Sequence, residues 1–97
     1  MKKDIVEFPG YSVDDDGKVY KNDVEIPHTF DKVTNHVFVK IDIFLIQGYI
    51  PVYKIVAQYH LENPNNYTSV LFKNSIFNDV SAANLEFVPD DYDEKKE

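Results

Sequence analysis

The chain has 97 residues and a formal net charge of −7, from ten basic and seventeen acidic side chains. This length allows one domain around one core, and the absence of cysteine excludes disulfides and thiolate metal sites. The longest apolar run, residues 41–46, is interrupted by Asp42, and no signal-peptide segment follows the N-terminus, so we expect a cytoplasmic protein without membrane contact.

The charge balance bears on the kind of partner. All ten basic residues are lysine, and there is no arginine. Nucleic-acid binding draws much of its affinity from neutralised phosphates, and arginine also makes bidentate contacts to phosphate and guanine. The lysines within the chain are scattered rather than clustered: Lys18, Lys21, Lys32, Lys40, Lys54 and Lys73. The composition therefore disfavours nucleic acid as a partner.

The first part of the chain predicts a flexible segment and a β-hairpin. Residues 1–7 are rich in charge and indicate a flexible N-terminus, with entry of Ile5 and Val6 into an edge strand as the alternative. In residues 11–20 two short apolar segments flank three aspartates and Gly17, which predicts a hairpin whose turn carries a glycine at positive φ. Val24–Ile26 alternates as a strand does. Residues 27–35 are polar and predict a connection without regular structure.

The central part predicts two strands and a helix. Apolar residues recur at every second position of His36–Ile43, as in a half-buried strand: Val37, Val39, Ile41 and Ile43. Gln47 and Gly48 predict the turn of a hairpin, from which residues 49–52 return as a strand. Residues 52–60 predict a short amphipathic helix with one apolar stripe: Val52, Ile55, Val56 and Tyr59.

The last part predicts a small closing unit. Residues 63–66, Asn-Pro-Asn-Asn, end the preceding helix. Residues 68–72 predict a strand, Asn78 caps a short helix that runs to Ala83, and residues 85–88 predict a final strand. Residues 89–97 indicate a disordered acidic tail. The sequence thus divides into residues 1–7, a single domain over residues 8–88, and this tail.

Two groups of residues are candidates for metal sites. Asp14, Asp15 and Asp16 precede Gly17, but their spacing is not that of a calcium loop and no helices flank them. We interpret this run as a solvated hairpin turn. The three histidines lack the short local spacing of a zinc site, although His28 and His36 flank one loop: His28, His36 and His60. No cofactor is predicted.

The turn is also a candidate interaction surface. Asp14, Asp15 and Asp16 supply negative charge, and Lys18 and Lys21 follow them closely. These five residues are candidates for contact with a partner.

The order of the elements resembles a known family. Residues 8–11 (Phe-Pro-Gly-Tyr) and 13–19 (Val-Asp-Asp-Asp-Gly-Lys-Val) match in outline the pattern I-x-G-Y…V-S-N-x-G-R-V. Residues 52–60 and then 63–66 are similar to V-H-R-L-V-A-x-A-F followed by N-P-x-N. These patterns are those of the phage HNH homing endonucleases that begin with a nuclease-associated modular motif. The resemblance covers most of residues 8–88. It implies an α+β fold in which small antiparallel β-hairpins precede a degenerate ββα, HNH-like unit.

The chain departs from that family at the nuclease motif itself. The motif V-[ND]-H-I-D-G-N-x-x-N-N-x-x-x-N-L-E-W-V falls without gaps on residues 70–88. The resemblance implies a metal ligand at Leu71 and a general base at Phe72, and neither side chain can bind a metal or accept a proton. The paired asparagines of the motif become Asp79 and Val80. Asn84 retains its central asparagine, for which the resemblance implies a structural clamp on the loop. We therefore expect no catalytic residue, no metal and no enzyme.

Three functions fit a scaffold of this kind. The first is a phage-encoded regulator or inhibitor that binds a host or phage protein in a bacterial cytoplasm, its carboxylates presenting a DNA-like negative field. The second is a residual DNA-binding module without cleavage, with Lys18 at the place of the motif's arginine and Lys21 nearby. The third is an active nuclease with a relocated site. The missing ligand and base, and the net charge, favour the first.

Overall fold

The computed structural model describes residues 1–43 and 46–91, in which one α-helix packs with three antiparallel sheets. The strands are β1 (Lys3–Asp4), β2 (Tyr11–Val13), β3 (Val19–Lys21), β4 (Val24–Ile26), β5 (Thr29–Asp31), β6 (His36–Ile43), β7 (Ile46–Pro51), β8 (Ser69–Phe72) and β9 (Leu85–Val88). The helix α1 spans Val52–His60, and a 3-10 turn, Ala82–Asn84, precedes β9. The expected α+β class with antiparallel hairpins is confirmed.

The first sheet contains β1 to β4 in chain order. The predicted hairpin is present as β2 and β3, and Gly17 in its turn has a φ of +91°. Within the segment predicted to be flexible, β1 pairs with β2 and Ile5 is 2 % exposed. Burial of this one apolar side chain makes the segment part of the fold. The predicted acidic tail lies largely outside the described residues, and the division at residues 8 and 88 stays a prediction.

The second sheet contains β5, β6 and β7 in that order. β6 has the predicted bounds, and Val37, Val39 and Ile41 on its predicted apolar face are buried. The side chain of Ile43 lies outside the described part of the chain. Strict alternation thus identified both the strand and the face that it turns to the core.

Two predictions for this sheet are wrong. Residues 27–35 are not irregular throughout, because Thr29–Asp31 pairs with β6 as an edge strand. Gln47 and Gly48 do not form a turn but lie within β7, opposite Asp42 and Ile41. Gly48 has no positive φ, and a Cβ there would meet no atom within 4 Å, so the backbone does not require glycine at this position.

Helix α1 has the predicted bounds and lies where the sheets meet. Val52, Ile55 and Val56 of the predicted stripe are buried together with Ala57, and Tyr59 is half-buried. The helix contacts β2, β6, β7 and β9. Within residues 1–43 and 46–91 no helix is both long and apolar enough to cross a membrane.

The third sheet pairs β8 with β9, and the loop between them differs from its prediction. In place of a helix capped by Asn78, the described chain has the 3-10 turn Ala82–Asn84. A helix capped by Asn78 would need the Ala82 N–H to bond the Asn78 carbonyl. That N–H instead donates to the carbonyl of Asp15 at 2.8 Å. A contact with the first sheet therefore overrides the local helical signal.

Three further contacts fasten the first sheet to the rest of the fold. The Tyr11 hydroxyl accepts from the Asp42 N–H at 2.9 Å and donates to the Asp42 carbonyl at 3.3 Å. His60 Nε2 donates to the Val13 carbonyl at 2.8 Å. Gly17 lies so close to Val80 that a Cβ on Gly17 would be 2.6 Å from Val80 Cγ2. The hairpin is thus packed against β6, α1 and the β8–β9 loop.

Candidate functional site

The two positions at which the resemblance implies a metal ligand and a general base lie on β8. Phe72 is 6 % exposed and pairs with Leu85, while Leu71 is half-buried and pairs with Glu86. An alkyl chain and a phenyl ring offer no lone pair to a metal ion and no acceptor for a proton. Neither position can supply the group that the motif places there.

Phe72 belongs to a group of four rings, here called the aromatic cluster: His36, Tyr53, Phe72 and Phe77. The His36 ring centroid lies 4.9 Å from that of Phe77, 5.1 Å from that of Tyr53 and 5.6 Å from that of Phe72. Phe72 is 5.2 Å from both Tyr53 and Phe77, with its ring steeply inclined to each. Offset and edge-on ring pairs of this kind stabilise packing beyond the area that they bury. Side chains of β6, α1, β8 and the following loop therefore meet around the motif's base position.

A cleft of about 310 Å³ opens on the aromatic cluster, and we call it the aromatic cleft. Val70, Leu71 and Ser75 complete its lining. Phe77 is 40 % exposed, so one ring of the cluster is open to solvent. His36 Nδ1 is buried and has no hydrogen-bond partner among the described residues. An unpartnered buried polar atom costs about 1–3 kcal/mol, so the cleft carries an unsatisfied nitrogen beside its rings.

Sequence reasoning did not bring these rings together. His36 lies on the face of β6 opposite the core, and Tyr53 lies outside the apolar stripe of α1. Each alone predicts a surface position. Both are half-buried because the β8–β9 unit packs over them. Two off-core rings on neighbouring elements were the signal that could have predicted a second packing surface.

Asn84 joins the two ends of the loop between β8 and β9. It is 7 % exposed, its Oδ1 accepts from the Asn74 N–H at 2.9 Å, and its Nδ2 donates to the Asp79 carbonyl at 2.9 Å. Its own carbonyl accepts from the Lys73 N–H at 2.8 Å. These are the hydrogen bonds that a residue clamping the loop would make.

The Asp79 carboxylate ties the same loop from within. It accepts from the Ser81 hydroxyl and from the Asn74 side-chain amide, each at 2.9 Å. The hydrogen bond from Ser81, followed by that from Asn74, holds the pKa of Asp79 below its ordinary value of 3.8, while desolvation acts in the opposite direction. The loop is therefore braced by a charged acceptor as well as by Asn84.

Replacing Ser81 with alanine is expected to raise the pKa of Asp79 towards 3.8, because the first of these bonds is lost. A carboxyl whose pKa is lowered by folding stabilises the fold at pH values above its unfolded pKa and loses that contribution as the pH falls through its folded pKa. Ser81→Ala should therefore be less stable than the parent near neutral pH, and the difference should shrink below pH 3.8.

An NMR titration of the Asp79 carboxyl carbon, with urea unfolding at several pH values, measures both effects. Ser75→Ala is the matched control, since this serine lies in the same loop, is exposed and makes no side-chain hydrogen bond among the described residues. If Asp79 titrates identically in Ser81→Ala and in the parent, the Ser81 hydrogen bond is not the cause of the lowered pKa.

In the Asp-rich turn, the Asp14 carboxylate accepts hydrogen bonds from its own hairpin. Its Oδ1 accepts from the backbone N–H groups of Asp16 at 3.0 Å and Lys18 at 2.8 Å, and its Oδ2 accepts from the Tyr20 hydroxyl at 2.9 Å. The exposed carboxylates of Asp15 and Asp16 each bring an oxygen within 4.8 Å of Asp14. The three aspartates are thus together, and Asp14 is oriented by the turn itself, as the hairpin-turn interpretation predicts.

The two lysines of the candidate interaction surface separate. Lys18 is exposed beside the turn, whereas Lys21 lies at the far end of β3. Lys21 Nζ donates to the Asp42 carbonyl at 3.2 Å and lies 5.5 Å from the centre of the Tyr11 ring. Of the two, only Lys18 stays beside the aspartates.

The three histidines contact different parts of the fold. His28 Nε2 donates to the Gly17 carbonyl and His60 Nε2 to the Val13 carbonyl, both at 2.8 Å. His36 instead belongs to the aromatic cluster. The three histidines therefore have separate partners among the described residues.

Comparison with known proteins places this arrangement among HNH-like folds. No protein-family model matches the sequence, and no curated protein does. A solved structure that concerns DNA binding and cleavage by the HNH homing endonuclease I-HmuI is similar to this chain, with a TM-score of 0.81 and 21 % sequence identity. The match covers 92 % of this chain and 52 % of that one, so the chain spans about half the length of its structural neighbour. The resemblance stated from the sequence is thereby confirmed for the fold, while the phage origin and the N-terminal motif stay predictions.

Proposed function

We propose that this protein is a non-catalytic interaction protein on an HNH-like fold, a phage-type regulator or inhibitor that binds a host protein in a bacterial cytoplasm. The observation that carries the proposal is the packing of Phe72. This ring stands at the motif's base position and is 6 % exposed within the aromatic cluster. The position is filled as core, with Leu71 beside it.

The energetic argument against cleavage is substantial. A positioned general base contributes about 10²–10⁴-fold to a reaction rate, and a bound metal adds charge stabilisation worth several kcal/mol. Leu71 and Phe72 remove both from the positions where the motif supplies them. A scaffold without these groups would act through its surface, by binding another molecule.

The charge of that surface suggests a basic partner. The chain has a net charge of −7. Exposed carboxylates occur both on strands and in loops: Asp15, Asp16, Glu25, Glu62 and Glu86. Ion pairs within the described chain neutralise few of them, since the salt bridges there join Lys2 to Asp23 and the N-terminal amine to Asp15. A negatively charged surface could compete with DNA for a basic groove.

The proposal is tested by capture and competition. The immobilised protein is expected to retain a DNA-binding protein from bacterial lysate and to release it when duplex DNA is added. The variant Asp16→Asn/Glu25→Gln, which removes two exposed charges without deleting a side chain, should retain less of it at low salt. If no protein is retained, or if added DNA does not release the retained protein, the proposal of DNA mimicry is overturned.

A residual DNA-binding module is the alternative, and the exposure of Lys18 at the motif's arginine position favours it. A mobility-shift assay at low and moderate salt decides, because phosphate-driven binding is strongest at low salt. We expect no shift from the parent. A shift that Lys18→Ala abolishes would support the alternative. A supercoiled plasmid incubated with the protein and Mg²⁺ or Mn²⁺ tests for nicking by a relocated site, and we expect none.

A further inference from the structure

The first four residues, here called the N-terminal strap, lie against the outside of the first sheet. Lys3 and Asp4 form β1 at the edge of that sheet, and all four strap residues are exposed. The chain is first buried at Ile5, which is 2 % exposed. A chain end with so little buried apolar surface unfolds locally at a lower free energy than the whole domain. The strap can therefore leave the sheet while the rest of the fold stays intact.

Two ammonium groups hold the strap in place. The terminal amine of Met1 donates to Asp15 Oδ1 at 3.1 Å, and Lys2 Nζ donates to Asp23 Oδ1 at 2.9 Å. Lys2 Nζ also lies 4.5 Å from the centre of the Tyr20 ring, within the range of a cation–π contact. The side chains of the two aspartates are 59 % and 86 % exposed. Exposed ion pairs contribute little to stability and weaken with salt, so another cation can replace these contacts.

Asp23 and Tyr20 form a site that already holds a lysine ammonium. Tyr20 lies on β3, and its ring is fixed by a hydrogen bond from its hydroxyl to Asp14 Oδ2 at 2.9 Å. In the described part of the chain no cation other than Lys2 lies within ion-pair distance of Asp23. The hydrogen bond from Lys2, together with its charge, holds the pKa of Asp23 below its ordinary value of 3.8. When the strap leaves, this carboxylate and this ring face are therefore open to a lysine from outside.

We infer that the N-terminal strap is an internal competitor for a lysine of a basic protein partner. The partner's ammonium takes the place of Lys2 between Asp23 and Tyr20, and the strap leaves the edge of β2. Lysine is selected by the group that it replaces, since Lys2 shows that one ammonium reaches the carboxylate and the ring face together. The inference deepens the proposed function and rests on it for the class of partner. Because only the open state accepts the partner, the closed strap lowers the partner's apparent affinity.

The test uses the full chain and the peptide acetyl-Gly-Lys-Gly-amide, and it follows the NMR shifts of the Tyr20 ring and the Asp23 carboxyl carbon. Saturable shifts are expected in the parent, while the peptide in which glutamine replaces lysine should cause little change. Lys2→Gln removes the internal ammonium and should bind the lysine peptide about two- to fivefold more tightly than the parent does. Amide hydrogen exchange in β1 should accelerate when the parent is saturated with the peptide, because the strap is displaced.

Lys3→Gln is the matched control, because it makes the same charge change one residue along the strap. Lys3 forms no ion pair or ring contact among the described residues, so this variant should bind the peptide as the parent does. Asp23→Asn should abolish the shifts at Tyr20, and asparagine tolerates the φ of +68° at this position. Binding that is equal in Lys2→Gln and Lys3→Gln, or absent from both, would overturn the inference.

Failure of this inference and failure of the proposed function give different results. If a DNA-displaceable partner is captured while the lysine peptide binds the two lysine variants alike, the inference fails and the proposed function stands. If the peptide displaces the strap and no partner is captured, the strap is a competitor for ammonium groups and the proposed function is overturned.

Discussion

Gly17→Ala is expected to lower the free energy of unfolding by about 2–5 kcal/mol, a large part of a small domain's stability. Gly17 has a φ of +91°, where an L-residue with a Cβ is strained. The added Cβ would also lie 2.6 Å from Val80 Cγ2 and 2.8 Å from the Val80 carbonyl oxygen. The backbone atom cannot rotate away, so the hairpin must leave the β8–β9 loop or distort.

The other two glycines supply the controls for this measurement. Gly10 has a φ of +88°, but its Cβ would meet only the end of the Asn22 side chain, at 3.1 Å, so Gly10→Ala carries the backbone strain with little clash. Gly48→Ala carries neither and should change stability by less than about 0.5 kcal/mol. Urea midpoints should therefore fall in the order Gly48→Ala, Gly10→Ala, Gly17→Ala.

The double variant Gly17→Ala/Val80→Ala separates the two contributions at Gly17. It removes the contact with Val80 Cγ2 but keeps the contact with the Val80 carbonyl and the positive φ, so the rescue should be partial after the loss from Val80→Ala alone is subtracted. A Gly17→Ala variant as stable as Gly48→Ala would show that the turn does not dock on the loop.

Asn84→Ala should destabilise the protein by about 2–4 kcal/mol, because a donor and an acceptor in a half-buried loop lose their partner. The Asn74 N–H and the Asp79 carbonyl are those two groups. The loop should open more often by local unfolding than the whole domain does by global unfolding. Amide hydrogen exchange at residue 74 is therefore expected to accelerate more than exchange in β6.

A second variant, Asn84→Asp, tests the two hydrogen bonds separately. It keeps an oxygen for the Asn74 N–H, loses the donor to the Asp79 carbonyl and places a second carboxylate near that of Asp79. We expect a loss close to that of alanine at neutral pH that diminishes as the new carboxyl is protonated. Unfolding of both variants at pH 7 and pH 4 measures this. If Asn84→Ala leaves exchange at residue 74 unchanged, Asn84 is not the clamp of the loop.

Sequence predicts this fold best where one periodic signal acts alone. β6 and α1 have the expected bounds, because alternation and the helical stripe each reflect burial on a single face. The turn expected at Gly48 is absent because glycine suggests a turn by propensity, whereas strand pairing there is set by the register with β6. The helix expected after Asn78 is absent because the Ala82 N–H is taken by Asp15, which local sequence cannot indicate.

One part of the candidate site can likewise be predicted from the sequence, and another part cannot. That Leu71 and Phe72 offer neither a metal ligand nor a proton acceptor follows from their identities and needs no coordinates. That Phe72 packs with His36 and Phe77 depends on how the third sheet lies over the second, which is a tertiary fact. The contact of Lys21 Nζ with the Asp42 carbonyl is likewise a tertiary contact that local sequence cannot indicate.

The bond from the Ala82 N–H to the Asp15 carbonyl links two distant parts of the chain, and it has a consequence for biosynthesis. The aspartate turn leaves the ribosome early, but its docking partner is made much later. Contacts between residues so distant in sequence also require a large loop to close, which slows folding. Nascent chains that end before β8 should therefore hold the aspartate turn without its contacts to the β8–β9 loop, with Phe72 and Phe77 of the aromatic cleft not yet made.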